Sequence, residues 1–391
     1  RALMPGKVWQ LVPVLEEGDA IGDHARRMAS ILGPRHGGFI VERVAPSLRK
    51  LTTHLSNIDS RDVDPEDILV YHVALASQLG TWLRTVRCRT VIDYHGITPA
   101  SFLRAYDPGL SVALSRSVGE LESLRPQTLM ALSDSDYLRA ELVAAGYRRT
   151  ETLPILLDFG RFDVAPDPAR MARLAEGKGG RGDVLFVGRV APNKRHEDVV
   201  KAFVLYRRLY NPGARLFLVG RPDVKKYFAA VTAFAERLGV EGIHVVGRVS
   251  PEELVAYYHS CDVFLAMSEH EGFGIPWLEA MYLGVPVLTY RSAALGETVD
   301  GGGLLFDHKD WEQVAALLDL VVRDDEVRAR LVAAGRRRVA QLRPERFEAR
   351  VVDLMDQIAR MDPSERVDPA GYGGPPGDPG GPTLGEAVGA P

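Results

Sequence analysis

Two glutamates separated by seven residues, Glu271 and Glu279, frame the segment of the sequence with the clearest chemical character. Gly272 and Gly274 prevent a helix from running through Glu271, whereas Pro276 suits the first turn of a helix that reaches Glu279. The predicted junction therefore offers free backbone N–H groups and a partial positive charge. Because ionised carboxylates only accept hydrogen bonds, the two glutamates suit sugar and ribose hydroxyls. The alternative is an ordinary helix N-terminal charge and a solvated helix position.

A second segment places two cations directly after a short apolar run. Arg189 and Lys194 follow Gly188 and precede a predicted helix. A planar guanidinium and a mobile ammonium together suit a diphosphate, and each charge-assisted hydrogen bond contributes about 1.5–3 kcal/mol. A solvated surface loop is the alternative for this segment.

Three features of the first half of the chain have weaker signals. Gly22 precedes a helix expected to start near His24, but its spacing differs from the dinucleotide-binding G-x-G-x-x-G pattern. His95 ends a predicted strand, where a structural and a functional histidine are equally expected. Asp134 and Asp136 imitate a metal-binding D-x-D motif, but they directly precede a predicted helix, so capping by serine and aspartate explains them better.

Short runs of Val, Ile and Leu alternate with helix-period segments in two successive sets, which predicts an α/β protein with two parallel sheets covered by helices. Ligands bind at the carboxyl ends of strands in such sheets, so these segments are expected to open to a cleft between two lobes. The expected strands are Val8–Val14, Phe39–Val44, Ile68–Val73, Thr90–His95 and Thr128–Leu132, then Val184–Val187, Leu216–Val219, Ile243–Val246, Val263–Ala266 and Val285–Leu288. Helices are expected at Asp23–Leu32 and Tyr137–Ala145.

The domains are expected at 1–160 and 161–344, with an aperiodic linker region around 157–182. A crossover helix at 345–361 is expected to return to the first domain. Residues 362–391 form a tail in which 15 of 30 residues are Gly or Pro, and we expect it to be disordered.

Composition narrows the class of protein further. The 391 residues include 48 Lys and Arg against 52 Asp and Glu, a net charge of −4, which argues against nucleic acid as the main partner. No apolar run is long enough to span a bilayer. The two cysteines have no metal-ligand spacing, and the first residues lack the pattern of a secretory signal, so we expect a cytoplasmic protein.

Together these segments resemble the retaining glycosyltransferases of family 4, whose GT-B architecture consists of two Rossmann-like domains facing a cleft. The resemblance covers nearly all of residues 8–361 and is thinner in the first domain, where Asp23 and Gly96 depart from the family pattern. It is strongest at Glu271–Met281, which is similar to the family's signature of two glutamates separated by seven residues, and continues at Gly284–Val287, Gly301–Phe306, Gly188–Lys194, Ser133–Asp134, Leu153–Ile155 and Asp158.

The resemblance implies roles for individual residues. Glu279 would hold the ribose of a nucleotide donor, and Arg189 and Lys194 would hold its diphosphate. Glu271 would contact the donor sugar and His95 would face it. Further donor contacts are implied for Gly22, Gly188, Val249, Gly272, Phe273, Gly274 and Ile275.

The implied activity is metal-independent, retaining transfer of a hexose from a UDP or GDP sugar to an unidentified acceptor, without a cofactor and by front-face attack. A sugar, a glycolipid and a natural-product aglycone all remain open as acceptors, with at most peripheral membrane contact. Arg84, Arg87 and Arg89 are a candidate basic patch for an anionic acceptor, or simply solvated. A nucleotide-sugar epimerase of the same fold and a non-catalytic sugar-nucleotide binding protein are the alternative functions.

Overall fold

The computed structural model describes residues 6–363, so most of the tail expected at 362–391 lies outside the described residues. The chain divides into two compact units. Of the described residues, unit 1 comprises 6–100, 109–158 and 343–363, and unit 2 comprises Ser101–Pro108 and Phe159–Leu342. The segment Ser101–Pro108 therefore groups with unit 2, although it lies within the first 160 residues.

Each unit contains one parallel sheet. The sheet of unit 1 has the order β3-β2-β1-β4-β5-β6-β7 and that of unit 2 the order β10-β9-β8-β11-β12-β13. Both orders reverse direction, between β1 and β4 and between β8 and β11, as in doubly wound folds. The strands are β1 Val8–Leu15, β2 His36–Val44, β3 Thr52–His54, β4 Ile68–Val73, β5 Arg89–Tyr94, β6 Thr128–Ser133, β7 Thr150–Thr152, β8 Asp183–Val187, β9 Arg215–Val219, β10 Ile243–Gly247, β11 Val263–Ala266, β12 Val287–Tyr290 and β13 Leu304–Phe306.

Helices flank the strands along the chain. They are α1 Ala20–Leu32, α2 Gln78–Leu83, α3 Pro108–Leu124, α4 Asp136–Ala144, α5 Pro168–Ala175, α6 His196–Leu209, α7 Lys225–Arg237, α8 Pro251–Ser260, α9 Ile275–Tyr282, α10 Leu295–Val299, α11 Trp311–Arg323, α12 Asp325–Gln341 and α13 Glu348–Arg360. Within the described chain, no helix is both long and apolar enough to cross a membrane. The predicted fold class, two doubly wound α/β units, is confirmed.

The differences from the predicted elements have local causes. Strands β3, β7 and β13 were not predicted, because three residues each are too few to show a periodicity. The last long strand was predicted two residues too early, and it begins at Val287. Helix α5 lies inside the expected linker, where Asp167 caps it by accepting a hydrogen bond from the Arg170 N–H and Pro168 occupies its first position.

The final helix, α13, belongs to unit 1. One face of α13 is fully buried, and Val351, Leu354, Met355 and Ile358 pack in a core cluster with strands β1, β4, β5 and β6. Its amphipathic pattern accounts for this burial, because apolar side chains three and four positions apart share one helix face.

Candidate active site

The point where the strand order of unit 2 reverses brings two distant loops together. Strands β8 and β11 pair through Val184 with Val263 and Leu185 with Phe264. The loop after β8 therefore lies beside the loop after β11. This edge is the usual ligand-binding position of a doubly wound sheet.

Lys194 and Glu271 form a buried ion pair at this edge. The Lys194 ammonium donates to Glu271 Oε2, and the two residues are only 8% and 7% exposed. Burial lowers the pKa of Lys194, although the Glu271 carboxylate opposes the shift. The second carboxylate oxygen, Oε1, is buried and has no hydrogen-bond partner among the residues that the structure describes. A buried acceptor without a donor is costly, so Glu271 is suited to receive a ligand hydroxyl.

Backbone contacts hold the two loops in register. The Glu269 N–H donates to the carbonyl oxygen of Asn193 at 2.8 Å. The Asn193 side chain donates to the carbonyl oxygen of His270 at 3.0 Å. These bonds lie next to the ion pair in both loops and therefore fix the separation of the Lys194 and Glu271 backbones.

The glycine loop ends at Gly274, which precedes helix α9. Its φ of 93° lies in the left-handed region, and a Cβ atom would lie 2.7 Å from Leu295 Cδ2. In the described part of the chain no side chain caps α9. The first N–H groups of a helix have no intrahelical partner, so this end of α9 suits an acceptor.

Glu279 lies on α9 and is 5% exposed. Arg161 Nη2 donates to its Oε1 at 2.8 Å, and the Tyr258 hydroxyl donates to its Oε2 at 2.8 Å. Burial, followed by the Glu279 charge, raises the pKa of Tyr258 well above its ordinary value, so this hydroxyl stays a donor. Each carboxylate oxygen keeps a lone pair for a further hydrogen bond.

Arg189 is placed differently from Lys194. Its side chain is 59% exposed and its Nη1 donates to Asp223 Oδ2 at 3.3 Å. Burial is the main cause of the lowered pKa of Lys194, and the Glu271 carboxylate opposes it. The positive charge of Arg189 lowers this pKa further. The Gly188 N–H bonds to the Val219 carbonyl at 3.0 Å, and Val249 lies in the loop after β10.

His95 of unit 1 belongs to a buried hydrogen-bond network. Its Nδ1 lies 2.9 Å from Asp134 Oδ1 and its Nε2 lies 2.9 Å from His72 Nδ1. His72 Nε2 lies 2.7 Å from Gln10 Oε1. His24 Nε2 lies 3.0 Å from Asp93 Oδ2. The network places both ring nitrogens of His95 against other residues of unit 1.

The pKa shifts in this network define its protonation. Burial opposes a charge on His95, but the Asp134 and Asp93 carboxylates outweigh it and raise the pKa of His95 to about 9. Burial lowers the pKa of His72 well below its ordinary value, so this ring is neutral. Burial raises the pKa of Asp93, but the His95 charge and the hydrogen bond from His24 outweigh it and hold this pKa well below its usual range. His95 thus donates from both nitrogens, to Asp134 and to His72.

Two sets of these residues are close enough to share a metal ion, one with His24, His72 and Asp93 and one with Asp93, His95 and Asp134. In the first set, His24 Nδ1 accepts the Leu156 N–H at 2.9 Å, so its Nε2 carries the proton of a neutral ring. The rings of His72 and His95 are parallel within 4°, with centroids 5.2 Å apart. Their facing nitrogens, His72 Nδ1 and His95 Nε2, hydrogen-bond to each other.

Three local predictions for unit 1 are wrong. Gly22 lies within the first turn of α1, because Asp19 caps the helix by accepting the Gly22 N–H at 3.0 Å. The prediction that Asp134 helps to cap α4 is wrong, since its carboxylate is bonded to His95, whereas Ser135 is the cap as predicted. Arg89 does not belong to a surface patch, because it is buried at the start of β5 and bonded to Glu66.

Several residues of the candidate site in unit 2 and of the histidine network in unit 1 were not predicted from the sequence. Arg161 and Tyr258 had no motif, since they reach Glu279 only through the fold. His72 and Asp93 could have been identified from the sequence. Each is a polar residue next to apolar residues of a buried strand, and a buried polar residue often indicates a specific structural or functional role.

Comparisons with known proteins agree with this architecture. Residues 173–338 match the family model described as glycosyl transferases group 1. The GDP-mannose-dependent alpha-(1-6)-phosphatidylinositol monomannoside mannosyltransferase of Mycobacterium tuberculosis is 32% identical over 244 residues, 58% of this chain and 62% of that protein. The D-inositol 3-phosphate glycosyltransferase of Nocardia farcinica is 29% identical over 289 residues, 70% of this chain and 62% of that protein. The chain thus spans about three fifths of the length of both relatives.

Solved structures show the same fold. HepE of Anabaena in complex with UDP matches with a TM-score of 0.69 at 16% identity, over 90% of this chain and 100% of that chain. Sucrose-phosphate synthase of Thermosynechococcus elongatus matches with a TM-score of 0.69 at 17% identity, over 90% of this chain and 99% of that chain.

The fold is therefore that of the GT-B class. The predicted resemblance to the group 1 glycosyltransferases is confirmed, since residues 173–338 match the model of that family.

Proposed function

We propose that this protein transfers a sugar from a nucleoside-diphosphate sugar, with UDP or GDP as the leaving group, to a hydroxyl group of an acceptor. The observation that carries the proposal is the unpartnered, buried Oε1 of Glu271 beside the Lys194 ammonium. A sugar hydroxyl beside a diphosphate matches this pair of charges. The GDP-mannose-dependent relative and the UDP complex of HepE support a donor of this chemical class.

In the proposed reaction, the bond from the anomeric carbon to the diphosphate breaks and the diphosphate gains negative charge. Lys194, Arg189 and the open N–H groups of α9 stabilise this charge as it develops. Glu271 accepts hydrogen bonds from the donor sugar, and Glu279 accepts them from the ribose. These cationic groups make a metal ion unnecessary for leaving-group stabilisation in the proposed mechanism.

Retention by front-face attack is part of the proposal. A double-displacement route needs a carboxylate free to form a bond with the sugar. Glu279 is engaged by Arg161 and Tyr258, and in the proposed complex the open Oε1 of Glu271 accepts a hydroxyl of the donor sugar, so neither carboxylate is left for bond formation. The leaving diphosphate is then the base that receives the proton of the attacking hydroxyl.

A two-stage experiment tests the proposed function. A thermal-shift screen of nucleotide sugars identifies the donor, because a ligand of the folded state raises the unfolding midpoint. The selected donor is then incubated with an acceptor panel, and mass spectrometry and NMR follow the products. We expect a new glycoside with the donor's anomeric configuration, and Glu271→Gln should reduce turnover much more than free-nucleotide affinity. An epimerised donor, or binding without turnover, would contradict glycosyl transfer.

A further inference from the structure

Arg161 contacts Glu279 although the two residues are 118 positions apart in the sequence. The Arg161 guanidinium takes one carboxylate oxygen and the Tyr258 hydroxyl takes the other, both at 2.8 Å. A buried carboxylate is strongly destabilising unless its charge is compensated. Among the described residues, Arg161 is the cation within ion-pair distance of Glu279.

The position of Arg161 is itself fixed against helix α9. The rings of Phe159 and Phe162 lie 5.3 and 6.3 Å from the ring of Tyr282, the last residue of that helix. The Arg161 guanidinium lies 4.6 Å from the Phe162 ring centroid, and the Tyr282 hydroxyl donates to Asp163 Oδ1 at 2.6 Å. Residues 159–163 of unit 2 therefore pack against α9, the helix that carries Glu279.

From this geometry we propose that Arg161 is a positioning residue for ribose recognition, which holds the Glu279 carboxylate in one orientation and compensates its buried charge. The inference rests on the proposed function, since it requires a nucleoside diphosphate in unit 2. Each oxygen of Glu279 keeps a lone pair for one of two vicinal hydroxyls. A site built in this way discriminates against a ligand that lacks a hydroxyl, because the fixed carboxylate then loses one of the hydrogen bonds that the ribose would donate.

Discrimination between ribose and 2′-deoxyribose is the measurable consequence. Isothermal titration calorimetry compares UDP with 2′-deoxy-UDP and GDP with 2′-deoxy-GDP, on the wild type and on Arg161→Met. We expect the wild type to prefer the ribonucleotide by about 10- to 100-fold, the range expected for the loss of one hydrogen bond to a charged acceptor. Without the guanidinium the carboxylate loses its fixed orientation, so the preference should fall to about threefold or less. Arg161→Lys keeps the charge without the planar fork and should restore part of the preference.

The matched control is Arg215→Met. Arg215 also donates to a buried carboxylate, Asp183, at 2.9 and 2.6 Å, and its guanidinium lies 5.3 Å from the Phe217 ring. Both members of this pair are the first residues of their strands, at the opposite edge of the sheet from the Lys194 loop. Arg215→Met should lower the unfolding midpoint and keep the wild-type ribose preference.

The outcomes separate this inference from the proposed function. A folded Arg161→Met variant with the wild-type ribose preference overturns the role of Arg161 alone. A wild-type protein that binds neither UDP nor GDP overturns the proposed function. If Arg161→Met does not fold, Arg161→Gln replaces it in the same comparison, and a wild-type preference in that variant is equally decisive.

Discussion

Buried charged side chains define the chemistry of both units. Lys194 and Glu271 compensate each other in unit 2 and leave one oxygen unpaired. His95 and Asp134 compensate each other in unit 1, where both ring nitrogens are used. The first pair is therefore open to a ligand, whereas both ring nitrogens of His95 are occupied within its own unit.

The His95–Asp134 pair predicts a pH-dependent stability. The pKa of His95 is about 9 in the folded protein and about 6.5 in an unfolded chain. The stability from this group is therefore complete below about pH 6.5 and is lost as the pH rises through about 9. Asp134→Asn removes the carboxylate that raises this pKa most, so it should destabilise the protein by about 1–3 kcal/mol at pH 6.5. Its loss of stability between these pH values should be smaller than in the wild type.

Urea unfolding at a series of pH values from 6 to 10 measures this effect. Asp136→Asn is the matched control, because Asp136 lies two positions later with a side chain that is 71% exposed. The control should follow the wild-type pH dependence. If the free energy of unfolding of Asp134→Asn and of the wild type changed in parallel with pH, a charged His95 would not be the cause of the pH dependence.

At the scale of elements, the junction between strand β11 and helix α9 decides where the open N–H groups lie. The chain turns at Gly274, which has a φ of 93°, before the helix begins. The neighbouring Trp277 and Leu295 are buried and leave no room for a side chain at this position. Glycine is therefore required here for two independent reasons.

Gly274→Ala should consequently destabilise the protein and weaken donor binding. Gly301→Ala is the matched control, since Gly301 has a φ of 73° but no atom within 4 Å of an added Cβ. The backbone cost alone is about 1–2 kcal/mol, and overpacking adds about 1–3 kcal/mol at Gly274. Chemical denaturation and nucleotide titration of both variants measure the difference. Equal stability losses, with equal nucleotide affinity, would contradict the close-packed turn.

At the scale of the whole molecule, each unit has its own parallel sheet and a binding edge set by its strand order. After residue 158 the chain stays in unit 2 as far as Leu342. It returns to unit 1 at Arg343, just before helix α13. Unit 2 carries the cations and carboxylates of the proposed donor site, so this unit determines the charge requirements of the proposed reaction.

We expect the activity of the whole protein to survive chelation. Lys194, Arg189 and the N-terminus of α9 supply the positive charge that a divalent ion would otherwise provide. Turnover of the donor found in the screen should be unchanged after dialysis against EDTA. Loss of turnover that Mg²⁺ restores would contradict this proposal. It would make the carboxylates of Asp93 and Asp134 the candidate metal ligands.

The sequence by itself determined the class of fold and identified Glu271–Glu279 as the segment with the clearest ligand-binding character. Alternating apolar strands and helix-period segments are local patterns, and so are the glycines and the proline that end one element and begin the next. Ile68–Val73 and Val263–Ala266 were predicted with their observed bounds for this reason. Short strands such as β3 could not be predicted, because three residues carry no pattern.

Tertiary structure alone decided which side chains meet. Lys194 and Glu271 are 77 positions apart and become neighbours because β8 pairs with β11. Arg161 reaches Glu279, and His95 reaches His72, by the same kind of long-range placement. Strand order follows from how the helices pack over the whole sheet, which is a property of the complete chain. For this reason the charged residues of the candidate site could be predicted from the sequence, whereas the residues that they contact could not.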